Sequence, residues 1–210
     1  IPFLLINGKP TFLSALLDQG YYPESGLTAP SYDALKGDIL FAKKAGFNAL
    51  RKHIKIEPLR WYYLCDTLGM YVIQDFVNGG APYSFLSVSI PGIFPKYQKN
   101  DASSKGLGRK EKESRDFFEE ELERTFSHLR NVPSIVVWTL FNEGWGQFEA
   151  VRLTEKLRSL DSSRLIDSTS GWYDKGVGDF LSRHIYFSSI LRMHSEEKRI
   201  LSLSEFGGYG

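Results

Sequence analysis

Ser134-Ile-Val-Val-Trp-Thr-Leu-Phe-Asn-Glu-Gly-Trp-Gly-Gln147 is the run of sequence that decides the fold. Six of the seven residues from Ile135 to Phe141 are apolar, which is typical of a strand buried on both faces of a parallel sheet. The run ends in Asn142-Glu143-Gly144, so a carboxylate follows the strand directly. Because a buried carboxylate is costly, Glu143 is either a functional group or the cap of a helix that begins near Gln147.

Composition restricts the class of protein. With 210 residues, 42% hydrophobic and 24% charged, the chain can form one ordinary globular domain. Its net charge of +1 gives no reason to expect nucleic acid or a membrane as partner. The single cysteine, Cys65, excludes an internal disulfide. The chain has no initiator Met and both ends look cut, so we expect it to be part of a longer protein whose localisation stays open.

Strand-like and helix-like segments alternate along most of the chain. After a hairpin turn at Asn7-Gly8, we predict seven strands, at Thr11–Leu17 (buried), Phe47–Leu50, Met70–Ile73, Ile135–Phe141, Arg164–Asp167, Phe180–Tyr186 and Arg199–Leu203. Helices are predicted at Ser31–Ala45, Glu57–Leu68, Lys110–Arg130 and about Gln147–Leu160. Val77–Gly108 shows little periodicity and is interpreted as a functional lid or a mobile segment.

This alternation predicts a parallel α/β fold. Polar or aromatic side chains follow nearly every predicted strand, namely Asp18, Arg51, His53, Asp75, Asn142, Glu143, Trp172, His184, Tyr186 and Glu205. Functional groups at the carboxyl ends of successive strands are typical of a TIM (β/α)8 barrel. An open doubly wound sheet is less well supported, because no Gly-rich phosphate loop is present. Since seven strands are counted, we expect the barrel to be incomplete at the C-terminus.

The two strand-end glutamates predict a reaction. In a barrel, Glu143 and Glu205 would face each other, and two opposed carboxylates are the minimum requirement for hydrolysis of a glycosidic bond. A separation of about 5–5.5 Å would indicate retention of configuration, and roughly 6.5–9.5 Å would indicate inversion. We expect the acid to have a raised pKa, because a neighbouring carboxylate and apolar walls disfavour its charged form. Arg51 is expected to keep the nucleophile ionised.

Further side chains are candidates for sugar contacts. Trp145 and Trp172 are expected to stack on a pyranose face, and His184 and Tyr186 to contact the substrate. Asp75 either binds a sugar hydroxyl or only braces Arg51. A metal site formed by His53, Asp75 and His184 is conceivable, but no close His/Asp spacing supports it, so we predict no metal and no cofactor.

The same residues resemble a known family. Asn142-Glu143-Gly-Trp-Gly-Gln147 after an apolar strand is similar to the acid/base signature of family 2 glycoside hydrolases, the β-galactosidase, β-glucuronidase and β-mannosidase group. The resemblance continues, in the family's order, through Asn7-Gly-Lys-Pro10, Arg51-Lys-His53, Trp61-Tyr-Tyr-Leu-Cys-Asp-Thr-Leu-Gly69, Gln74-Asp75 and Ser204-Glu-Phe-Gly-Gly208. Two details depart from the family's pattern: only Lys52 separates Arg51 from His53, and His184-Ile-Tyr-Phe187 has Phe where Pro is common.

The resemblance implies a role for each matching residue. Glu143 would be the general acid/base, Glu205 the nucleophile, and Asn142 a partner of the sugar 2-hydroxyl. Jelly-roll and immunoglobulin-like domains would precede a single barrel domain over residues 1–210, and its last strand would lie beyond Gly210.

The sequence therefore predicts a retaining exo-β-glycosidase that acts on a carbohydrate substrate, with a homo-oligomer of the full-length protein as an open alternative to a monomer. Two rival interpretations stay open: an endo-acting barrel glycanase of another family, and an inactive carbohydrate-binding fragment.

Overall fold

The fold is seen in a computed structural model, which describes residues 2–82, 84–94, 97–102, 106–186 and 198–207. Phe187 and Gly208, which belong to two of the motifs quoted above, lie outside these ranges. The elements in chain order are β1 (Leu5–Ile6), β2 (Lys9–Pro10), β3 (Ala15–Asp18), α1 (Tyr32–Lys44), β4 (Ala49–Lys52), α2 (Leu59–Leu68), β5 (Tyr71–Asp75), α3 (Phe85–Ile93), α4 (Lys112–Leu129), β6 (Ile135–Asn142), α5 (Ala150–Leu160), β7 (Leu165–Ser170), β8 (Phe180–Ile185) and β9 (Ile200–Phe206).

Seven parallel strands form the framework, as the sequence predicts. Five of them make one sheet in the order β3-β4-β5-β6-β7, and every neighbouring pair is parallel. The other two, β8 and β9, form a separate parallel pair. Helices α1, α2, α4 and α5 connect successive strands of the sheet. The antiparallel hairpin β1–β2 precedes the sheet, with both Asn7 and Gly8 in the left-handed region that such a turn needs.

Strand β6 lies at the centre of the apolar core. All its residues except Val136 are buried, so both faces of the strand are covered. Phe141 stacks on Phe118 of α4 with a ring-centroid separation of 5.3 Å, and Phe148 packs against both rings. Each aromatic pair adds about 0.5–1.5 kcal/mol to the free energy of burial, so the position of the strand's end is firmly fixed.

Helix termini follow the signals in the sequence. Ser31 caps α1, and its side chain accepts a hydrogen bond from the backbone N–H of Ala34. Gly69 ends α2 in the left-handed conformation, at φ 69°. These caps confirm the predicted start of α1 and end of α2.

The pair β8–β9 is attached to the sheet differently. In the described part of the chain, β7 and β8 are neighbours without a hydrogen-bonded ladder between them. The backbone N–H of Asp179, just before β8, donates to the carbonyl of Ile166 on β7 at 2.8 Å, whereas the N–H of Ile200 donates to the carbonyl of Asp179 within the pair. Beyond these, side-chain hydrogen bonds join the two parts, and they are described with the site below.

Several predicted boundaries of strands and helices are wrong. Strand β3 is shorter than the prediction and is not buried: it is the edge of the sheet, and Leu17 is 40% exposed. Strands β4, β5, β7 and β9 continue further than predicted, because the apolar run of each ends before polar residues that still belong to the strand, such as Arg51, Asp75, Ser170 and Glu205. The segment from Val77 to Gly108, predicted to be irregular, contains helix α3.

None of the helices in the described ranges is long and apolar enough to cross a lipid bilayer.

Candidate active site

The predicted site residues meet at one edge of the strands. Arg51 and Asp75 lie at or near the ends of β4 and β5, Asn142 ends β6, and His184 and Glu205 lie near the ends of β8 and β9. The carboxyl ends of parallel strands open on the same side of a sheet, which brings these side chains together. Glu143 follows Asn142 directly and joins the same group.

Glu205 receives donors from several strands. Arg51 Nη1 donates to Oε1 at 3.0 Å, and the hydroxyl of Tyr186 donates to Oε2 at 2.5 Å. The Nε2 atoms of His184 and His53 lie 3.6 Å and 3.7 Å from Oε1. The carboxylate thus lies among a guanidinium, a phenol hydroxyl and two imidazole rings.

Arg51 is the link between β9 and the sheet. Its guanidinium donates to both carboxylate oxygens of Asp75, at 3.0 Å and 3.1 Å, and to Oδ1 of Asn142 at 2.9 Å. Burial on its own would lower the pKa of Arg51, but the charges of Asp75 and Glu205 raise it overall, so the group is a permanent cation. Asp75 is fully buried, and both of its carboxylate oxygens accept hydrogen bonds from Arg51. It therefore braces Arg51, and its contact with a sugar hydroxyl stays a prediction.

Glu143 is bound mainly by two residues from the β8 side. Its Oε1 lies 2.9 Å from His184 Nδ1 and accepts from the hydroxyl of Tyr186 at 3.2 Å. Its backbone N–H donates to the carbonyl of Ser170 at 2.9 Å, which fixes the turn after β6. Burial raises the pKa of Glu143, but the hydrogen bond and charge of His184 and the hydrogen bond from Tyr186 lower it below its ordinary value. The expected raised pKa is therefore wrong for this arrangement.

The two carboxylates are close. One oxygen of Glu143, one oxygen of Glu205 and one ring nitrogen of His184 all lie within 4.8 Å of one another. Tyr186 bridges both carboxylates through one hydroxyl, and burial together with Glu205 raises its pKa, so it stays a donor. Two carboxylates at this spacing can attack and protonate the same bond from opposite ends.

Backbone strain accompanies the site. Ile54, Glu143 and Tyr173 have φ values of 52°, 50° and 51°, in the left-handed region that non-glycine residues rarely adopt. Each of them lies in the turn that follows β4, β6 or β7. The adjacent Gly144 is also left-handed, and a Cβ there would lie 2.3 Å from the ring of Tyr173. The turn after β6 therefore needs glycine at that position.

The remaining candidate residues differ in how deeply their side chains are buried. His53 Nε2 lies 3.2 Å from Asn142 Nδ2, and burial lowers the pKa of His53, which favours the neutral ring. Trp145 is half-buried and donates from Nε1 to the carbonyl of Ala81. Trp172 is only 6% exposed and its ring packs 5.6 Å from that of His184. Trp172 therefore packs against His184, and its stacking on a sugar stays a prediction.

The conceivable metal site at His53, Asp75 and His184 is not formed. Both oxygens of Asp75 accept from Arg51, so that carboxylate has no position for an ion. Among the described residues, Glu143, His184 and Glu205 have ligand atoms close enough for a metal. The guanidinium of Arg51 already neutralises Glu205 at 3.0 Å and would repel a cation there.

Sequence reasoning missed a set of small polar side chains beside the site. Ser170, Ser182 and Ser204 connect buried Asp167 to His184 by hydrogen bonds. Serine is too common for such a set to be found by pattern. The one available signal was Asp167 itself, the carboxylate that ends the short predicted strand Arg164–Asp167.

The chain matches a known protein family. Residues 3–202 match the family described as glycosyl hydrolases family 2, TIM barrel domain. This range includes the turns after β4 and β6 and the first three residues of β9, and it confirms the predicted barrel.

Solved structures of similar fold come from bacterial enzymes. A β-D-glucuronidase from Dictyoglomus thermophilum has a TM-score of 0.73 and 18% identity, with 98% of this chain and 38% of that chain covered. A family 2 β-galacturonidase from Eisenbergiella tayi bound to galacturonate has a TM-score of 0.64 and 18% identity, covering 86% and 30%. A β-glycosidase from Bacteroides vulgatus has a TM-score of 0.62 and 22% identity, covering 87% and 20%.

The chain thus spans between a fifth and two fifths of the length of these proteins. At such identities the likeness shows the fold, whereas the family match covers nearly the whole sequence. This chain belongs to family 2 of the glycosyl hydrolases and corresponds to the TIM barrel domain of that family.

Proposed function

We propose that this glycoside hydrolase is a retaining exo-β-glycosidase that removes a terminal β-linked sugar by double displacement. Glu205 attacks the anomeric carbon and forms a glycosyl ester while Glu143 protonates the leaving oxygen. Glu143 then takes a proton from water, which attacks the ester and releases the sugar. The observation that carries this proposal is the spacing of the two carboxylates, with oxygens within 4.8 Å. Retaining enzymes need about 5–5.5 Å, whereas inverting enzymes need room for a water.

The surroundings of Glu205 support its role as nucleophile. Arg51 and Tyr186 both donate to its carboxylate, and Arg51 is a buried permanent cation. These donors fix the orientation of the carboxylate, so little reorganisation precedes attack.

Asn142 is suited to hold the sugar beside Glu143. Its Oδ1 accepts from Arg51, which fixes the amide plane. One hydrogen of Nδ2 is directed to His53, whose neutral ring can accept it, and the second is available for the 2-hydroxyl of the sugar. Hydrogen bonds to this hydroxyl strengthen in the transition state and contribute several kcal/mol.

The sugar itself is proposed as a neutral β-galactoside-type residue or a β-uronide. The neighbours named β-D-glucuronidase and β-galacturonidase favour the uronide. A panel of nitrophenyl β-galactoside, β-mannoside, β-glucuronide and β-galacturonide separates these alternatives. Preference for a polymeric substrate over every aryl glycoside would favour an endo-acting glycanase instead.

The decisive experiment replaces Glu205 by Gln. Turnover of the best aryl glycoside should fall by roughly four orders of magnitude or more, because nucleophile and ester are both lost. Glu143→Gln should slow substrates with poor leaving groups far more than substrates with activated ones. Glu149→Gln, six residues along the chain from Glu143, is the matched control and should retain full activity.

Product stereochemistry tests the mechanism directly. Proton NMR during the first minutes of hydrolysis should show the β-anomer, and a slow fluorinated substrate should label Glu205. An initial α-anomer, or substantial turnover by Glu205→Gln, would exclude double displacement through this residue.

A further inference from the structure

The segment Val77–Gly108, interpreted above as a functional lid or a mobile segment, lies directly on the turn that carries Glu143. The backbone N–H of Gly146 in this turn donates to the carbonyl of Leu107 at 2.5 Å. A Cβ at Gly146 would lie only 2.2 Å from the carbonyl oxygen of Gly79. The turn and the described parts of the segment are therefore in close contact, with room for glycine alone at that position.

Asp101 of this segment is buried and binds the turn with its side chain. Its Oδ2 accepts from Nε2 of Gln147 at 3.0 Å and from the backbone N–H of Ala150 at 3.1 Å. Ala150 is the first residue of α5, so the second bond satisfies a free N–H at the start of that helix. One carboxylate oxygen thus holds both the end of the turn and the helix that follows it.

Gln147 transmits this contact to a second turn. It is fully buried, and its Nε2 also donates to the carbonyl of Tyr173 at 3.1 Å. Its Oε1 has no hydrogen-bond partner in the part of the chain that the structure describes. Both amide hydrogens therefore have acceptors, and half a turn of the amide would lose both bonds. Gln147 joins Asp101 on one side to the turn after β7 on the other.

The turn after β6 depends on such outside contacts. Phe141 and Phe148, at its two ends, are anchored in the apolar core by their ring contacts. Between them, Glu143, Gly144 and Gly146 have φ values of 50°, 72° and 75°. A glutamate rarely adopts the left-handed conformation by itself, so its surroundings must hold it there.

The carboxylate of Glu205 is held in another way. Its donors are Arg51 on β4 and Tyr186 just after β8, and neither bond involves the segment. Leu107 of the segment does pack in the small apolar cluster beside Tyr186. Asp101 is not a member of that cluster, so a change at Asp101 separates the two carboxylates of the site.

We propose that Asp101 and Gln147 are positioning residues, through which the segment Val77–Gly108 acts as a fixed buttress that holds the carboxylate of Glu143 in place. This proposal rests on the acid/base function proposed above for Glu143. Proton transfer to the leaving oxygen needs the carboxyl group within hydrogen-bond reach, and a displacement of about 1 Å can cost on the order of a hundredfold in rate. Attack by Glu205 has no such dependence on the turn.

Two variants break the contact from its two sides. Gln147→Met removes the amide and keeps an unbranched side chain of similar length, and Asp101→Ala removes the acceptor. The double variant should lose little more than the more damaging single one, because both changes delete the same bond. Asp101→Asn should restore most of the loss, since both bonds end on one oxygen that an amide oxygen can replace.

The first test measures the turn without using activity. Hydrogen–deuterium exchange of the full-length protein, followed by mass spectrometry, reports how often the backbone opens. Peptides that cover residues 143–147 should exchange about tenfold faster in Gln147→Met and in Asp101→Ala, because the turn loses its support. Peptides that cover β9 should exchange as in the wild type.

The second test uses aryl glycosides with graded leaving groups. In both variants, kcat/KM for the poorest leaving group should fall about ten- to a hundredfold, because protonation by Glu143 is impaired. For a dinitrophenyl glycoside, which needs no acid, it should stay within about threefold of the wild type. A slow fluorinated substrate with the same activated leaving group should label Glu205 at the rate of the wild type.

Ser31→Ala is the matched control for stability. It removes the side-chain cap of α1, a hydrogen bond to the backbone N–H of Ala34, as Asp101→Ala removes the one at the start of α5. Both variants should lower Tm by a similar amount. Ser31→Ala should change neither the exchange of residues 143–147 nor the dependence on the leaving group.

The possible results are distinguishable. Unchanged exchange at residues 143–147 in both variants, or an equal rise in Ser31→Ala, would overturn the proposal. Faster exchange with equal losses for every leaving group would show a merely structural contact, which also overturns it. Faster exchange confined to the turn, in a protein whose wild type hydrolyses no glycoside, would support the buttress and reject the function of Glu143. If Asp101→Ala fails to fold, Gln147→Met decides alone, because it leaves the start of α5 intact.

Discussion

The two carboxylates of the site belong to regions that are held together by different forces. Glu143 follows β6, whose side chains are almost all buried among helices α2, α4 and α5. Glu205 lies in β9, where every residue is at least partly exposed. In the described part of the chain, the buried members of the main apolar core extend from Tyr22 to Ile166, and neither β8 nor β9 contributes to them.

The pair β8–β9 is instead attached through polar contacts. Arg51 reaches Glu205, Ser182 reaches Asp167, and His184 reaches both Ser170 and Glu143. The comparison indicates that Glu143 is placed by apolar packing and Glu205 by charges and hydrogen bonds. Stability and activity should therefore respond differently to changes in the two regions.

The largest effect is expected for Arg51→Met, which removes the strongest contact between the regions. Asp75 would remain as a buried, uncompensated charge, and we expect a loss of about 3–5 kcal/mol in the free energy of unfolding. Urea denaturation measures this loss. Arg51→Lys keeps the charge but not the fork that serves Asp75, Asn142 and Glu205 together, and should fall between wild type and Met. A loss below about 1 kcal/mol would mean that other contacts hold β9 in place.

A matched pair of leucines tests the apolar side of the comparison. Leu140→Ala on β6 should destabilise the protein by about 3 kcal/mol, because the site is fully buried and a cavity remains. Leu201→Ala on half-exposed β9 should cost less than half as much. Thermal and urea unfolding of the two variants under identical conditions measures the difference. Equal losses would show that β9 has an apolar core of its own.

The smallest effect concerns the polar junction and depends on pH. Because the pKa of Asp167 is raised to about 6, the folded chain binds a proton more tightly than the unfolded chain does. Stability should therefore fall as pH rises from about 4 to about 6, by on the order of 2 kcal/mol. Asp167→Asn removes this dependence and should flatten the curve of unfolding free energy against pH in that window.

Asp161→Asn is the control with the opposite sign. Burial raises the pKa of Asp161, but hydrogen bonds from Ser163, Trp138 and Arg164 lower it overall, so its contribution is lost as pH falls. Its replacement should reduce stability at neutral pH and leave the slope between pH 4 and 6 that is due to Asp167. Parallel curves for wild type and Asp167→Asn would contradict the assignment of the buried proton.

The sequence predicted the framework because the framework is apolar. Runs such as Ile135–Phe141 gave the strands, and glycines and Ser31 gave the helix ends. The prediction failed where the apolar pattern and the structure differ: at β3, which is an exposed edge, and at the polar residues near the ends of β7 and β9.

The residues of the candidate site follow predicted strands, whereas its electrostatics could not be predicted. The barrel brings Glu143, Glu205, Arg51 and Asn142 together because each lies near or just after the carboxyl end of a strand. The lowered pKa of Glu143 could not be predicted, since it depends on His184 and Tyr186, about forty residues away in sequence. Ser170, Ser182 and Ser204 had no sequence signal, because they are recognised only by four distances between side chains of β7, β8 and β9.

The left-handed backbone at Ile54, Glu143 and Tyr173 has a consequence for the evolution of this barrel. Glycine would relieve each of these turns, yet at Glu143 it would delete the proposed acid/base. Selection for stability and selection for catalytic rate therefore favour different residues at the same positions. Laboratory selections for heat resistance alone should drift towards glycine or asparagine there, and the resulting proteins would gain robustness at the expense of turnover.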